Sequence, residues 1–399
     1  MTRKNQPDFK QIGAILLVGM MAGAGARYVA SRMRPTTAPS DTSGPAVQDQ
    51  VSRLIDWEQA RKVALRVAQW EQAPIADRAR RREQYARLVA RSQPLIANYL
   101  GVELAEPFTR VYIFDRREWL EANLLSFARL FKPIEELYHR TARSRPNSQA
   151  FSALNQKFLG AQVGFLLGFL ARKVLGQYDL SLLSPEPTPG SLYFIEPNIA
   201  RVQQGLGLHD EEFRLWITLH EMTHAYEFEA YGWVRDYFQS LLQQYFDEMG
   251  RQLEGLRNGF ATFVMRILQS RGAKTHWIES MLTPRQREIF NKLQALMSIV
   301  EGYSNHIMNA IGRELLPTFD QIEARIHERQ RNRSLIEQLF YRLTGMSLKM
   351  EQYQQGEAFV NAVVEARGPT FASLVWKGPE NLPTMEEIRN PRKWIERMS

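Results

Sequence analysis

The sequence predicts a mainly helical, α+β chain with a small sheet, preceded by an apolar N-terminal helix. Apolar residues recur at three- and four-residue steps through most of its length, β-rich composition is confined to two five-residue runs, and prolines punctuate the remainder at helix-like intervals. A chain of 399 residues with 44% hydrophobic and 24% charged residues can bury a sizeable core, as one large domain or two smaller ones. Cysteine is absent, which excludes disulfides, thiolate metal ligands and thiol nucleophiles.

The first element is the run from Ile12 to Ala26, continuous, rich in glycine and alanine, and flanked on both sides by basic residues. It is shorter than the roughly 20 residues of a usual span, but Tyr28, Val29 and Ala30 extend it if Arg27 snorkels. Residues 1–34 are therefore expected to be a single-pass membrane anchor. The next reading is a signal peptide cleaved near Ala22-Gly23-Ala24 or Ala24-Gly25-Ala26, and the third an amphipathic tail of a cytoplasmic protein. Basic flanks at both ends leave the orientation open. Residues 35–50, dense in Pro, Thr, Ser and Gly, read as a flexible tether.

The formal charge of +8 invites a nucleic-acid reading, but its distribution argues against one. Arg3, Lys4, Lys10, Arg27, Arg32 and Arg34 face only Asp8 in the first 34 residues, so the basicity belongs largely to the tail. No module with interleaved basic and aromatic residues is present, and the basic run from Glu323 to Arg333 reads as a solvated helix face. No nucleic-acid partner is expected.

Residues 51–399 form the expected folded part. From Val51 to Leu100 the pattern is helical, with Leu54, Trp57, Ala60, Val63 and Val67 on one face. Arg110 to Phe114 and Ser191 to Ile195 are the strand candidates. Leu192 to Ile195 is read either as an edge strand that binds extended substrate backbone or as a plain core strand. Between them, Gly160, Gly164 and Gly168 recur every four residues in an apolar helix from Phe158 to Ala171, which suggests close helix packing in a soluble core rather than a membrane dimer face. The remainder reads as helices broken at Pro284, Pro317, Gly345, Pro379, Pro383 and Pro391.

The chemistry concentrates in His220-Glu221-Met222-Thr223-His224. In a helix this spacing puts both imidazoles on one face a single turn apart, where they can converge on one ion, with Glu221 beside them to deprotonate a water. Borderline-soft imidazoles suit zinc, and a carboxylate takes the proton of the water it activates. Asp210, Glu211 and Glu212 read as an N-cap and acidic first turn, after which Phe213, Ile217, His220 and His224 share a face. The plain alternative is a pair of packed core histidines.

A third ligand has to come from another segment. Glu227 lies seven residues after His220, about 10 Å along the axis, too far to close a tetrahedral site. The extended pattern with a downstream glycine and third histidine is absent, because positions 227 and 230 are Glu227 and Ala230. Glu301 stands out, since Leu293, Met297, Glu301 and Met308 fall on one helical face and the carboxylate interrupts apolar positions. Its plain alternative is a buried ion pair with an arginine. Asn305, one turn on, is placed to orient a ligand by hydrogen bonding, whereas His306 points about 140° away and is not expected to share the ion.

Four blocks, GAQVGFLLGFLARKVLGQYD from Gly160, FRLWITLHEMTHAYEF from Phe213, LTPRQREIFNKLQALMSIVEG from Leu282 and NLPTMEEIRNPRKWIER from Asn381, closely resemble the zincin-like zinc metallopeptidase family. That family is named for its association with biosynthesis of the deazaflavin coenzyme F-420. The resemblance runs from about Leu54 to the C-terminus. It implies a zinc-dependent hydrolase acting on a peptide or protein, with His220, His224 and Glu301 at the ligand positions and Glu221 as base. One block departs: where the family's usual pattern reads EGHADYVMD after the ligand glutamate, this chain has EGYSNHIMN, so Tyr303 and Asn305 replace a histidine and an aspartate. The departure leaves the ligands intact and keeps a non-catalytic, membrane-tethered zinc scaffold as the alternative. Tyr303, His306, Tyr226 and His276 are the candidates for stabilising an oxyanion.

Overall fold

A computed structural model describes residues 55–70, 75, 77–104, 108, 110–142, 149–178, 191–255, 283–331 and 346–399. The apolar segment at 12–26, the tether at 35–50 and His276 lie outside the described residues. No described helix is long and apolar enough to cross a membrane.

The helical stretch expected from Val51 to Leu100 is divided. Helix α1 (Trp57–Ala68) starts at Asp56, whose side chain accepts from the Gln59 amide, and stops at Gln69 in the left-handed region at φ 51°. Helix α2 (Arg78–Leu100) restarts after Asp77, also left-handed at φ 52°, whose carboxylate caps the Arg80 amide. Of the expected face only Ala60 is buried, with Trp57, Val63 and Val67 half-buried, and the buried stripe is Ala60, Ala64 and Ala68, so the periodicity marked a helix but neither its deepest face nor these reversals.

Strand β1 (Arg110–Phe114), helices α3 (Arg116–Ala142) and α4 (Gln149–Ala171), and strands β2 (Gly176–Tyr178) and β3 (Ser191–Ile195) follow. The sheet order is β1-β3-β2, with β1 parallel to β3 from Arg110↔Ser191 to Phe114↔Ile195, and β2 antiparallel to β3 from Gly176↔Phe194 to Tyr178↔Leu192. Every residue of β3 is buried and both its edges are paired, so Leu192–Ile195 is the core strand of the two readings and cannot accept an added strand. The edges of the described sheet are β1 and β2, and β2 is the one the sequence did not reveal. Three residues beginning with glycine carry too little β signal.

Helix α4 packs against α1 through its glycines. A Cβ at Gly160, Gly164 or Gly168 would fall 2.2, 2.2 and 2.5 Å from the carbonyl oxygens of Asp56, Ala60 and Ala64, so the two backbones touch. The glycine repeat thus belongs to helix packing within the fold.

Helices α5 (Glu196–Leu206), α6 (Asp210–Glu229) and α7 (Trp233–Gly255) lead to α8 (Pro284–Leu315), which opens on a capping box between Thr283 and Gln286. Helices α9 (Phe319–Arg331) and α10 (Met346–Arg367) and the short α11 (Pro369–Ala372), α12 (Met385–Arg389) and α13 (Pro391–Met398) complete the described chain. Prolines stand at the first helical position of α8, α11 and α13. One apolar core joins the sheet to α2, α6, α8 and α10, and a second gathers α1, α3 and α4 around Trp119, Leu120 and Leu167 and meets the sheet at Ile195.

Two details of the helices differ from expectation. The N-cap of α6 is His209 rather than Asp210, whose carboxylate accepts instead from Arg214 and Arg81. On α8 the deeply buried positions are Ile289, Leu296, Ile299, Val300, Tyr303 and Ile307, while Leu293 and Met297 are only half-buried. Glu301 therefore lies at the margin of the buried face, where a polar group meets other polar groups, and not in the middle of an apolar stripe.

Candidate metal centre

The N-terminal half of α6 is fixed by charge. Arg214 is fully buried and pairs with Glu196 of α5 and with Asp210, while Arg81 approaches Glu196 at 3.1 Å and the Tyr85 hydroxyl donates to it at 3.2 Å. Removing one member leaves an uncompensated buried charge, so the network resists rotation of the helix.

One turn on, His220 and His224 face the same side, their ring centroids 4.7 Å apart and their planes at 79°. Helix α8 brings Glu301 to them, and one ligand atom from each of the three residues lies within 4.8 Å of the others. Helix α8 is held there by close contact with α10, since a Cβ on Gly302 would meet the Gly356 carbonyl carbon at 2.2 Å. No arginine forms an ion pair with Glu301 among the described residues, where its partner is His224, Nε2 to Oε2 at 3.8 Å.

The orientation of His224 has an evident cause. Its Nδ1 lies 3.0 Å from Glu227 Oε2 and 3.0 Å from Ser304 Oγ, which turns Nε2 toward Glu301. Ser304 also donates to Glu227 at 3.3 Å. Burial and the nearby Glu301 charge push the Glu227 carboxyl well above its usual range, with Ser304 opposing them. A carboxylate behind a histidine fixes the ring and raises its basicity as a ligand. Glu227, set aside as a ligand by its distance from His220, thus touches the second histidine from behind. The i,i+3 spacing was the available signal. His220 is held by packing: its Nδ1 is buried without a hydrogen-bond partner, and burial lowers its proton affinity against the pull of Glu301, so the ring is neutral and free to donate a lone pair.

Glu221 lies against β2. The Tyr178 amide donates to its Oε2 at 3.1 Å, and Gly176 leaves room for its side chain, because a Cβ there would stand 2.5 to 2.7 Å from Glu221 Cγ, Oε1 and Cδ. The strand is braced in turn by the Tyr178 hydroxyl, which donates to Glu229 and accepts from Arg235 at 3.3 Å. Burial first, and Glu301 second, push the Glu221 carboxyl up to about 8, with the Tyr178 amide opposing. A dication beside it would reverse that preference and favour the carboxylate. Neither Gly176 nor Tyr178 was singled out in the sequence.

The remaining expected residues are engaged elsewhere. Tyr303 is 2% exposed and packs edge-on against Trp376, centroids 5.3 Å apart. His306 is held between the Tyr99 hydroxyl at 2.6 Å and Asn361 Oδ1 at 2.5 Å. Tyr226 donates to the Gln93 carbonyl at 3.1 Å. Asn305 makes no hydrogen bond to the three-residue group among the described residues, where the neighbouring Ser304 does.

Two imidazoles and a carboxylate converging within 4.8 Å, with a buried glutamate alongside, form a donor set of the zinc type. The zincin-like metallopeptidase family matches residues 55–395. The chain belongs to that family. It is also similar to a solved structure from Chloroflexus aurantiacus, described provisionally as a hydrolase with a novel fold, at 59% identity and a TM-score of 0.66, over 86% of this chain and 99% of that one. No curated protein matches the chain. Membership supports a mainly helical zincin-like domain with a small sheet and a hydrolase-type function for this zincin-like chain.

Proposed function

We propose that this zincin-like chain is a zinc-dependent peptidase in which His220, His224 and Glu301 hold the ion and Glu221 is the general base. The observation that carries the reading is the convergence of the three donor atoms next to a buried carboxylate that the Tyr178 amide and Gly176 hold in place. Bound zinc would supply Lewis acidity toward a water and a peptide carbonyl. Glu227 and Ser304 keep His224 in the ligating orientation, and Glu221 takes the proton of the attacking water onto its carboxylate and carries it toward the leaving amine. Burial of Glu221 keeps bulk water from competing for that proton.

The second reading is a zinc-binding scaffold without turnover. It is favoured by Tyr303, Tyr226 and His306 all being packed or bonded away from the donors, which leaves no side chain assigned to an oxyanion among the described residues. Attachment to a membrane through residues 12–26 is proposed on sequence grounds alone, and a place in deazaflavin coenzyme biosynthesis rests only on the family resemblance. Metal analysis combined with a peptide-library cleavage assay separates the two functions. Glu221→Gln is expected to keep zinc and fold while losing hydrolysis by several orders of magnitude. Equal cleavage by both proteins would sink the mechanism, and cleavage by neither would leave the scaffold.

A further inference from the structure

Away from the metal centre, three arginines come together with no carboxylate paired to them among the described residues. Arg116, the first residue of α3, is completely buried. Its Nε donates to Asn198 Oδ1 at 2.8 Å, and its Nη1 to the carbonyls of Ala68 at 3.1 Å and Gln69 at 3.4 Å. Its Nη2 is buried without a hydrogen-bond partner among the described residues. Asn198, on α5, reaches with its Nδ2 to the carbonyls of Ala171 and Val174, both at 2.7 Å, and so ties the end of α4 to the same corner. Arg172 follows α4 directly, and Arg201 lies one turn beyond Asn198. Both act on Arg116 as like charges, and the Arg172 Nε is likewise buried and unpartnered.

This arrangement is costly as it stands. A buried guanidinium is ordinarily paired with a carboxylate, as Arg214 is with Glu196 and Asp210 in the same molecule. Among the described residues Arg116 has neutral acceptors and two further cations. Burial, with the Arg201 and Arg172 charges, brings its guanidinium down to about 10, so the charge persists at neutral pH. Guanidinium groups present planar forks of N–H donors that match the oxygens of a tetrahedral oxyanion. Of the other two, Arg201 is exposed and Arg172 half-buried.

We propose that Arg116, Arg172 and Arg201 form a binding site for a phosphate-type oxyanion, distinct from the metal centre. The site occupies the corner where α4 turns into β2, the strand against which Glu221 rests, so the anion braces that strand from its N-terminal side.

The test is titration of the full chain with inorganic phosphate by calorimetry at constant ionic strength, chloride replacing phosphate in the reference. The wild type is expected to bind one phosphate per chain. Arg172→Gln and Arg201→Gln should each weaken binding by about tenfold or more, as expected for losing a charged hydrogen bond, while the exposed Arg392→Gln should leave it unchanged. Arg116→Met should abolish it, and the two less buried variants decide the matter if that protein does not fold. Phosphate binding no stronger than that of chloride would overturn the proposal. So would affinity unchanged in both Arg172→Gln and Arg201→Gln, or reduced equally in Arg392→Gln. Binding lost in Glu301→Ala but kept in Arg201→Gln would put the phosphate at the metal centre and overturn it as well.

Discussion

Substituting Gly176 tests the geometry of the base without touching any proposed metal ligand. In Gly176→Ala the new Cβ would stand 2.5 Å from Glu221 Cγ and 2.6 Å from Oε1, whereas ordinary contact begins at 3.4 Å. The shortest approach must therefore open by about 0.9 Å, and the group best able to yield is the flexible end of Glu221. A displacement near 1 Å at a reacting group costs on the order of 100-fold, or about 2.7 kcal/mol of barrier. Loss of kcat/KM on a cleaved peptide is the readout, beside zinc content and thermal midpoint. The expected result is activity down about 100-fold with zinc retained and the midpoint little changed. Full activity in Gly176→Ala would show that β2 does not set the position of Glu221. Loss of zinc would show that the strand supports the ligands rather than the base.

Two further expectations concern other parts of the molecule. Glu227→Gln and Ser304→Ala should each weaken zinc binding about 10- to 100-fold in chelator competition, because they free the His224 ring, and unchanged affinity would mean packing alone orients it. At the C-terminus, burial raises Glu387, but hydrogen bonds from Arg397 and the Thr384 amide, with the Arg397 charge, outweigh it and hold the carboxyl below its usual range. That stabilisation is present above the unfolded glutamate range and fades as pH falls through the lower folded value. Arg397→Met should thus be less stable by about 1.5 kcal/mol at neutral pH, and the gap should narrow in acid without closing, because Arg397 also donates to the Glu380 and Leu382 carbonyls. Parallel stability curves across pH would reject the assignment.

What could be read in the sequence followed from locality. His220, Glu221 and His224 are fixed relative to one another by a single helical turn, and the two strands of ordinary length announced themselves by composition. Glu301 was reachable because a carboxylate on a helix of mostly apolar pattern needs a reason, even though the face it occupies is less buried than the pattern suggested. Gly176 carries no side chain to signal its contact with Glu221, which depends on how a three-residue strand passes a helix far along the chain. Ser304 and Glu227 meet only because α8 crosses α6, and Asn305, one residue away, looked equally suitable in one dimension. Arg116 is one arginine among many until the fold seals it away from solvent.

The central claim is most directly tested by zinc per chain in the purified protein and in Glu301→Ala, measured together with thermal midpoint. The account predicts one zinc in the wild type, loss of zinc together with a lower midpoint in Glu301→Ala, since metal that binds only the folded state stabilises it, and zinc retained in His306→Ala. Zinc that survives Glu301→Ala but falls with His306→Ala would contradict it.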